Sequence, residues 1–162
     1  MMLATDRLVL REFDLPDQEA LSSYHSDPRY LQHYASPPDS ARLVAAFCAW
    51  AEALPRLNYQ LAITRVPSRR AIGSVGLRCQ GYPATEAEVG IELDPRYWGC
   101  GYAVEALASL VRFGANSLDL TRFWALATPQ NAAAHRALGR IGFALANEDP
   151  NQATFLLESP AA

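Results

Sequence analysis

Apolar and polar positions repeat with two different periods along this chain, and the changes of period mark its elements. Arg7 to Phe13 alternates imperfectly and reads as a first strand. Asp14-Leu15-Pro16-Asp17 then starts a helix, with Asp14 or a neighbour as cap and Pro16 in the first turn. That helix carries Leu21 and Tyr24 and ends near Asp27-Pro28. Beyond a loop through Ser36-Pro37-Pro38-Asp39-Ser40, a second helix runs from about Ala41 to Leu54 and stops at Pro55. Three strands follow, Tyr59 to Arg65, Arg70 to Cys79 and Glu88 to Leu93. In the last, Val89, Ile91 and Leu93 share one face and Glu88, Gly90 and Glu92 the other.

From Tyr102 to Leu118 the period becomes helical, with Ala103, Leu107, Leu110 and Gly114 on one face. Arg122 to Ala127 reads as a buried strand. Asn131 caps a helix that ends at Gly142, with Arg140 in its last turn where a cation opposes the dipole. Two short strands, Phe143 to Ala146 and Ala153 to Leu157, close the chain. Strands in the middle with helices to cover them predict an α/β layered domain around a mixed sheet.

Composition narrows the chemistry. The 162 residues fit one domain spanning 1–162, half of them hydrophobic and about a fifth charged. Every basic side chain is arginine. Without lysine there is no Schiff-base chemistry and no Walker-type phosphate loop. A net charge of -3 without a basic stripe argues against nucleic acid. No apolar run approaches the roughly 20 residues that span a membrane. The first residues lack the layout of a secretory signal, so a cytoplasmic location is expected. Cys48, Cys79 and Cys100 are far apart and form no Cys-x-x-Cys pair, which predicts reduced thiols and no metal site.

The informative segment is Asp94-Pro95-Arg96-Tyr97-Trp98-Gly99-Cys100-Gly101-Tyr102-Ala103, between a predicted strand and a predicted helix. Small residues at 99, 101 and 103 let a ligand approach the backbone, and the helix start turns free amides and a positive dipole end toward it. Such a turn cradles phosphate or pyrophosphate, although glycines also serve a plain strand-to-helix turn. A dinucleotide fingerprint fits poorly, because Val104 replaces the third glycine and no βαβ unit opens there.

The chain resembles the GCN5-related N-acetyltransferase (GNAT) superfamily, in the branch that acetylates ribosomal-protein N-termini and diverse small amines. The resemblance rests on Thr5 to Arg11, on Tyr97 to Leu107 and on Asn131 to Phe143, in that order. It implies a mixed, mostly antiparallel sheet of six to seven strands flanked by four helices, and acetyl-CoA as co-substrate. Trp98 stands at the Q/R position of the family's pyrophosphate motif, and Cys100 at a position often basic. By the resemblance, amides from Trp98 and Gly99 through Cys100, Gly101 and Tyr102 to Ala103 hold the pyrophosphate. Leu93 pairs with the pantetheine arm, and Asn131 and Arg136 also contact the cofactor. Homodimers are frequent among such relatives.

Acetyl transfer to an amine needs a base, an oxyanion donor and a proton for the leaving thiolate. Glu92 or Glu88 can accept the amine proton; Glu92 is preferred as nearer the implied thioester, with the Leu93 N–H as oxyanion donor. The positions that often supply the family's acid are Ala134 and Leu138, and neither can donate a proton. His135 is one helical step away and faces elsewhere. Tyr30 and Tyr34, near the Pro37-Pro38 loop, are the expected substrate contacts, whereas Tyr24, Phe47 and Trp50 suit a core. The function expected is N-acetylation of a primary amine on a peptide or small molecule. The alternative is a non-catalytic acyl-CoA sensor, motivated by Ala134 and Leu138.

Overall fold

The computed structural model describes residues 1–32 and 36–158. Among them, eight strands form one sheet: β1 (Met2–Ala4), β2 (Leu8–Glu12), β3 (Asn58–Arg65), β4 (Ala71–Arg78), β5 (Glu86–Leu93), β6 (Arg122–Ala127), β7 (Ala144–Glu148) and β8 (Ala153–Glu158). Their spatial order is β1-β2-β3-β4-β5-β6-β8-β7. Every neighbouring pair is antiparallel except β5 and β6. Five helices accompany the sheet: α1 (Asp17–His25), α2 (Pro28–Leu31), α3 (Ser40–Glu52), α4 (Tyr102–Ser117) and α5 (Ala132–Arg140).

The expected fold class holds, with more elements than the six to seven strands and four helices predicted. The additions are β1 and α2, of three and four residues, too short to show a period. Asp27 caps α2 by accepting from the Arg29 N–H, where Asp27-Pro28 had suggested only an end. Pro16 itself occupies the N-cap position of α1 and offers no side-chain cap. Asp39 caps α3, one residue ahead of the Ser40 that begins it.

Each face of the sheet has its own core. On one, α4 lays Ala106, Leu107 and Leu110 against Leu8, Leu10, Leu61, Leu77, Val89 and Phe123. Burying a leucine of this kind contributes roughly 1.5–3 kcal/mol. On the other face, Leu21, Tyr24, Tyr30, Val44 and Phe47 from α1, α2 and α3 pack with Phe13 over the small side chains of Ala62 and Ala71. Phe47 and Trp50 are therefore core members, as their helical spacing suggested.

The parallel pair positions the site. Register pairs join Glu86 to Val89 with Arg122 to Ala125 and go no further, so the end of β5 parts from β6. On its other side β5 stays paired with β4 as far as Gly73 opposite Leu93.

Candidate active site

A cavity of about 340 Å3 opens where β5 and β6 part. It is lined by the last residues of β5, the turn after it, the first turn of α4 and one face of α5, with Tyr30 from α2.

The turn begins with Asp94, which is buried and accepts from the N–H of Arg96 to start one 3-10 turn over Pro95–Tyr97. Gly99 and Gly101 then adopt φ of +76° and +81°, a region that costs a side chain about 1–2 kcal/mol. Gly101 is the N-cap of α4 and brings no side chain to bond the first N–H groups of the helix. Those donors and the positive end of a 16-residue helix dipole are left for a ligand. A brace holds the turn from behind. Arg7 donates from Nη1 to the Cys100 carbonyl at 2.9 Å and from Nε to Glu105 Oε2 at 2.7 Å. Its guanidinium also stacks 4.7 Å from the centre of the Tyr102 ring.

At the end of β5 the backbone itself becomes a ligand surface. Asp94 N–H donates to the Ile72 carbonyl at 2.9 Å, toward β4. Peptide groups alternate sides along an antiparallel strand, so the N–H and C=O of Leu93 point the other way, into the parting. Trp98 Nε1 reaches the Leu93 carbonyl from that side at 2.9 Å.

Glu92 supplies the negative charge of the site. Its Oε1 accepts from Tyr24 at 2.8 Å and Ser74 at 3.2 Å, and His25 Nε2 lies 3.2 Å away. Its Oε2 accepts from Tyr30 at 2.6 Å. A carboxylate only accepts, so His25 carries its hydrogen on Nε2, and its Nδ1 lies 2.8 Å from Ser40 Oγ. Burial pushes the Glu92 carboxyl up, but His25 and the Tyr30 and Tyr24 hydroxyls outweigh it and hold the group below its ordinary value of 4.5. Burial and the Glu92 charge in turn push the Tyr24 phenol well up.

The candidate residues divide clearly. Glu92, Leu93, Trp98, Gly99, Gly101, Tyr102, Ala103, Asn131, Arg136 and Tyr30 all line the cavity. Glu88 does not; Arg78 holds it at 2.9 Å and the Tyr82 hydroxyl at 3.0 Å, at the paired end of β5. Cys100 is exposed and contributes its carbonyl to the brace, without its side chain lining the cavity. Tyr34 lies outside the described residues. Asn131 caps α5 through Oδ1, which accepts from the Ala134 N–H, so its amide nitrogen is the group it can offer a ligand. Ala134 and Ala137 line the wall, while Leu138 is buried beneath it. His135 turns to the Thr128 carbonyl at 3.1 Å and away from the cavity, as expected.

One expectation needs correcting. Alternation along β5 suggested that apolar side chains serve the core and carboxylates a cleft. Val89 and Leu93 do join the core and Ile91 packs against it, but of the two carboxylates only Glu92 lines the cavity, Glu88 being held by Arg78 and Tyr82. His25, Ser40, Ser74 and Arg140 were not anticipated. Ser74 was recoverable, since it faces Glu92 in the β4–β5 register. His25 and Ser40 carry no sequence signal of their own.

Among the described residues, no group of three or more metal-ligating side chains occurs, and no helix is long and apolar enough to cross a membrane. The family model described as "Acetyltransferase (GNAT) domain" matches residues 7–144. The Bacillus subtilis (strain 168) protein described as an uncharacterized N-acetyltransferase, YoaA, is 28% identical over 147 residues, 88% of this chain and 82% of that one. An acetyltransferase structure from Agrobacterium tumefaciens str. C58 superimposes with a TM-score of 0.79 at 26% identity, covering 98% of this chain and 95% of the other. The microcin C7 self-immunity acetyltransferase MccE, solved with acetyl-CoA and AMP, has the same fold, with a TM-score of 0.78 at 17% identity over 96% of this chain and 94% of that one.

Proposed function

The chain belongs to the acetyltransferase (GNAT) family, and from that premise we propose that residues 1–162 form a single cytoplasmic N-acetyltransferase domain that moves acetyl from acetyl-CoA to a primary amine on a peptide or small molecule. One observation carries the reading: the uncapped start of α4, the open backbone edge of Leu93 and the Glu92 carboxylate line a single cavity.

The residues fit the co-substrate. The amides at the start of α4 take the pyrophosphate, with Arg136 and Arg140 on the facing wall to add positive charge. Asn131 and the backbone of Leu93 receive the amide arm, beside Trp98. The thioester then lies next to Glu92. The Leu93 N–H, aimed into the parting, stabilises the oxyanion as the amine attacks.

Glu92 takes the amine proton. A carboxyl held below its ordinary value leaves a carboxylate that is a weak base for a free ammonium ion. It is sufficient once nitrogen has bonded to the carbonyl carbon, because that nitrogen is strongly acidic. Glu88 is unsuited, being held by Arg78 and Tyr82 away from the cavity. Tyr30 walls the acceptor side, and Tyr34 is proposed beside it from sequence alone.

Thiol release from acetyl-CoA across a panel of amines tests the reading. Glu92→Gln is expected to lower turnover at least 100-fold with the dissociation constant for CoA changed less than about threefold. Glu88→Gln should leave turnover within a fewfold. Saturable CoA binding without thiol release for any amine would return the sensor reading; no CoA binding would remove both.

A further inference from the structure

Transfer from a thioester leaves a thiolate that must gain a proton, and α5 offers Ala134, Ala137 and the buried Leu138 where an acid would be useful. The donor has to come from another element. Three tyrosines line the cavity among the described residues: Tyr30, Tyr97 and Tyr102. The last two sit at the turn, ring centroids 6.4 Å apart, with the Arg65 guanidinium 5.7 Å from each ring. Neither is bonded to Glu92. Tyr30 is buried, lines the cavity and donates to Glu92 Oε2 at 2.6 Å.

Resting on the acetyltransferase reading above, the geometry points to Tyr30 as the catalytic acid, which protonates the departing thiolate and is recharged by the proton that Glu92 has taken from the amine. A phenol alone suits this poorly, because its pKa of about 10 exceeds the roughly 8.5 of a thiol. The bond to Glu92 changes the balance. A carboxylic acid is far stronger than a thiol, and the Glu92 carboxyl lies below its ordinary value, so transfer from Glu92 through Tyr30 to sulfur runs downhill.

The steps balance. The nitrogen lone pair forms the N–C bond to the thioester carbonyl, and the amine proton passes to Glu92. Oε1 is already approached by Tyr24, His25 and Ser74, whereas Oε2 accepts from Tyr30 alone among the bonds described, so Oε2 takes the proton. As the C–S bond breaks, its electron pair stays on sulfur, which takes the Tyr30 hydrogen. The acid hydrogen on Oε2 then passes along the 2.6 Å contact to the phenolate oxygen. Amide and free thiol leave, and Glu92 and Tyr30 end as they began. One side chain thus links the proton released by the nucleophile to the one required by the leaving group.

The test is the response to leaving-group acidity. Tyr30→Phe and Tyr24→Phe are assayed with acetyl-CoA and with the acetyl thioester of 2-nitro-5-thiobenzoate, whose thiolate leaves without a proton. With acetyl-CoA, Tyr30→Phe should lower kcat about 100-fold, with KM for acetyl-CoA within about threefold. With the activated donor its loss should shrink to less than about threefold. Tyr24 bonds the same carboxylate but does not line the cavity, so Tyr24→Phe should affect both donors equally. Equal losses of Tyr30→Phe with both donors would reduce Tyr30 to positioning Glu92 and overturn the assignment, as would an unchanged kcat with acetyl-CoA. Should Tyr30→Phe fail to fold, the wild type decides. Its solvent isotope effect in D2O should be larger with acetyl-CoA than with the activated donor, because only the former adds proton delivery to sulfur, and equal effects overturn the relay. Wild-type inactivity with both donors would instead overturn the transferase reading beneath it.

Discussion

Trp98 folds back over Leu93, its indole Nε1 donating to that residue's carbonyl at 2.9 Å across the parting of β5 and β6. On the proposed reading, the ring would wall the amide arm of the co-substrate, and it already occupies one lone pair that this arm would use. Removing only the donor should cost little, because the freed lone pair can accept from the ligand. Trp98→Phe is expected to keep the dissociation constant for acetyl-CoA within about threefold. Trp98→Ala, which removes the wall, should raise it roughly tenfold, about 1.4 kcal/mol. Isothermal titration would measure both.

Gly99 and Gly101 separate backbone strain from ligand contact. Both have positive φ, so alanine at either should destabilise by about 1–2 kcal/mol and lower Tm by roughly 2–8 °C. A Cβ at Gly99 would meet no protein atom within 4 Å and would stand where the cavity admits ligand. Gly99→Ala should therefore weaken CoA binding by more than its loss of stability suggests. At Gly101 the Cβ would approach Arg7 Nη2 to 3.3 Å and disturb the brace as well. Thermal denaturation with and without CoA distinguishes the two contributions.

Acid should weaken the native state through Glu92. Its carboxyl is held below 4.5 in the fold, so it binds a proton more readily when unfolded. The stability this supplies is complete above the unfolded value and is lost as pH falls through the lower, folded one. The Tm difference between wild type and Glu92→Gln should thus be largest from about pH 6 upward and narrow below about pH 4. A difference that widens on acidification would contradict it.

Arg7, just ahead of β2, holds the glycine turn and the start of α4 through Cys100, Glu105 and Tyr102. Half of its side chain is exposed, so Arg7→Ala should cost about 1 kcal/mol or less of stability. Its larger effect should fall on the turn, raising the dissociation constant for CoA several-fold. Guanidine denaturation and titration with CoA, run on the same variant, compare the two losses.

The sequence made much of this legible because its long elements repeat cleanly. β6 has the predicted bounds, and α4 differs by one residue. The glycine turn declared itself by residue type, since small side chains before a helical period serve few purposes. The charged half of the site was harder to read. Alternation along one strand puts Glu88 and Glu92 on one face and the family resemblance favours Glu92, but the groups that hold it, Tyr24, His25, Tyr30 and Ser40, come from helices 52 to 68 positions earlier in the chain. No local period encodes a contact of that separation. The parting beside the cavity was also hidden, because β5 alone does not reveal that β6 stops pairing with it at Val89.

That early stop leaves the sheet with a seam. Below it, strands supply one another's partners; above it, the peptide groups of Ile91 and Leu93 turn toward whatever enters from outside. A guest carrying its own amides would act there as a temporary strand, completing a ladder the polypeptide leaves unfinished. If the proposed co-substrate binds there, it would tie the two halves of the sheet together.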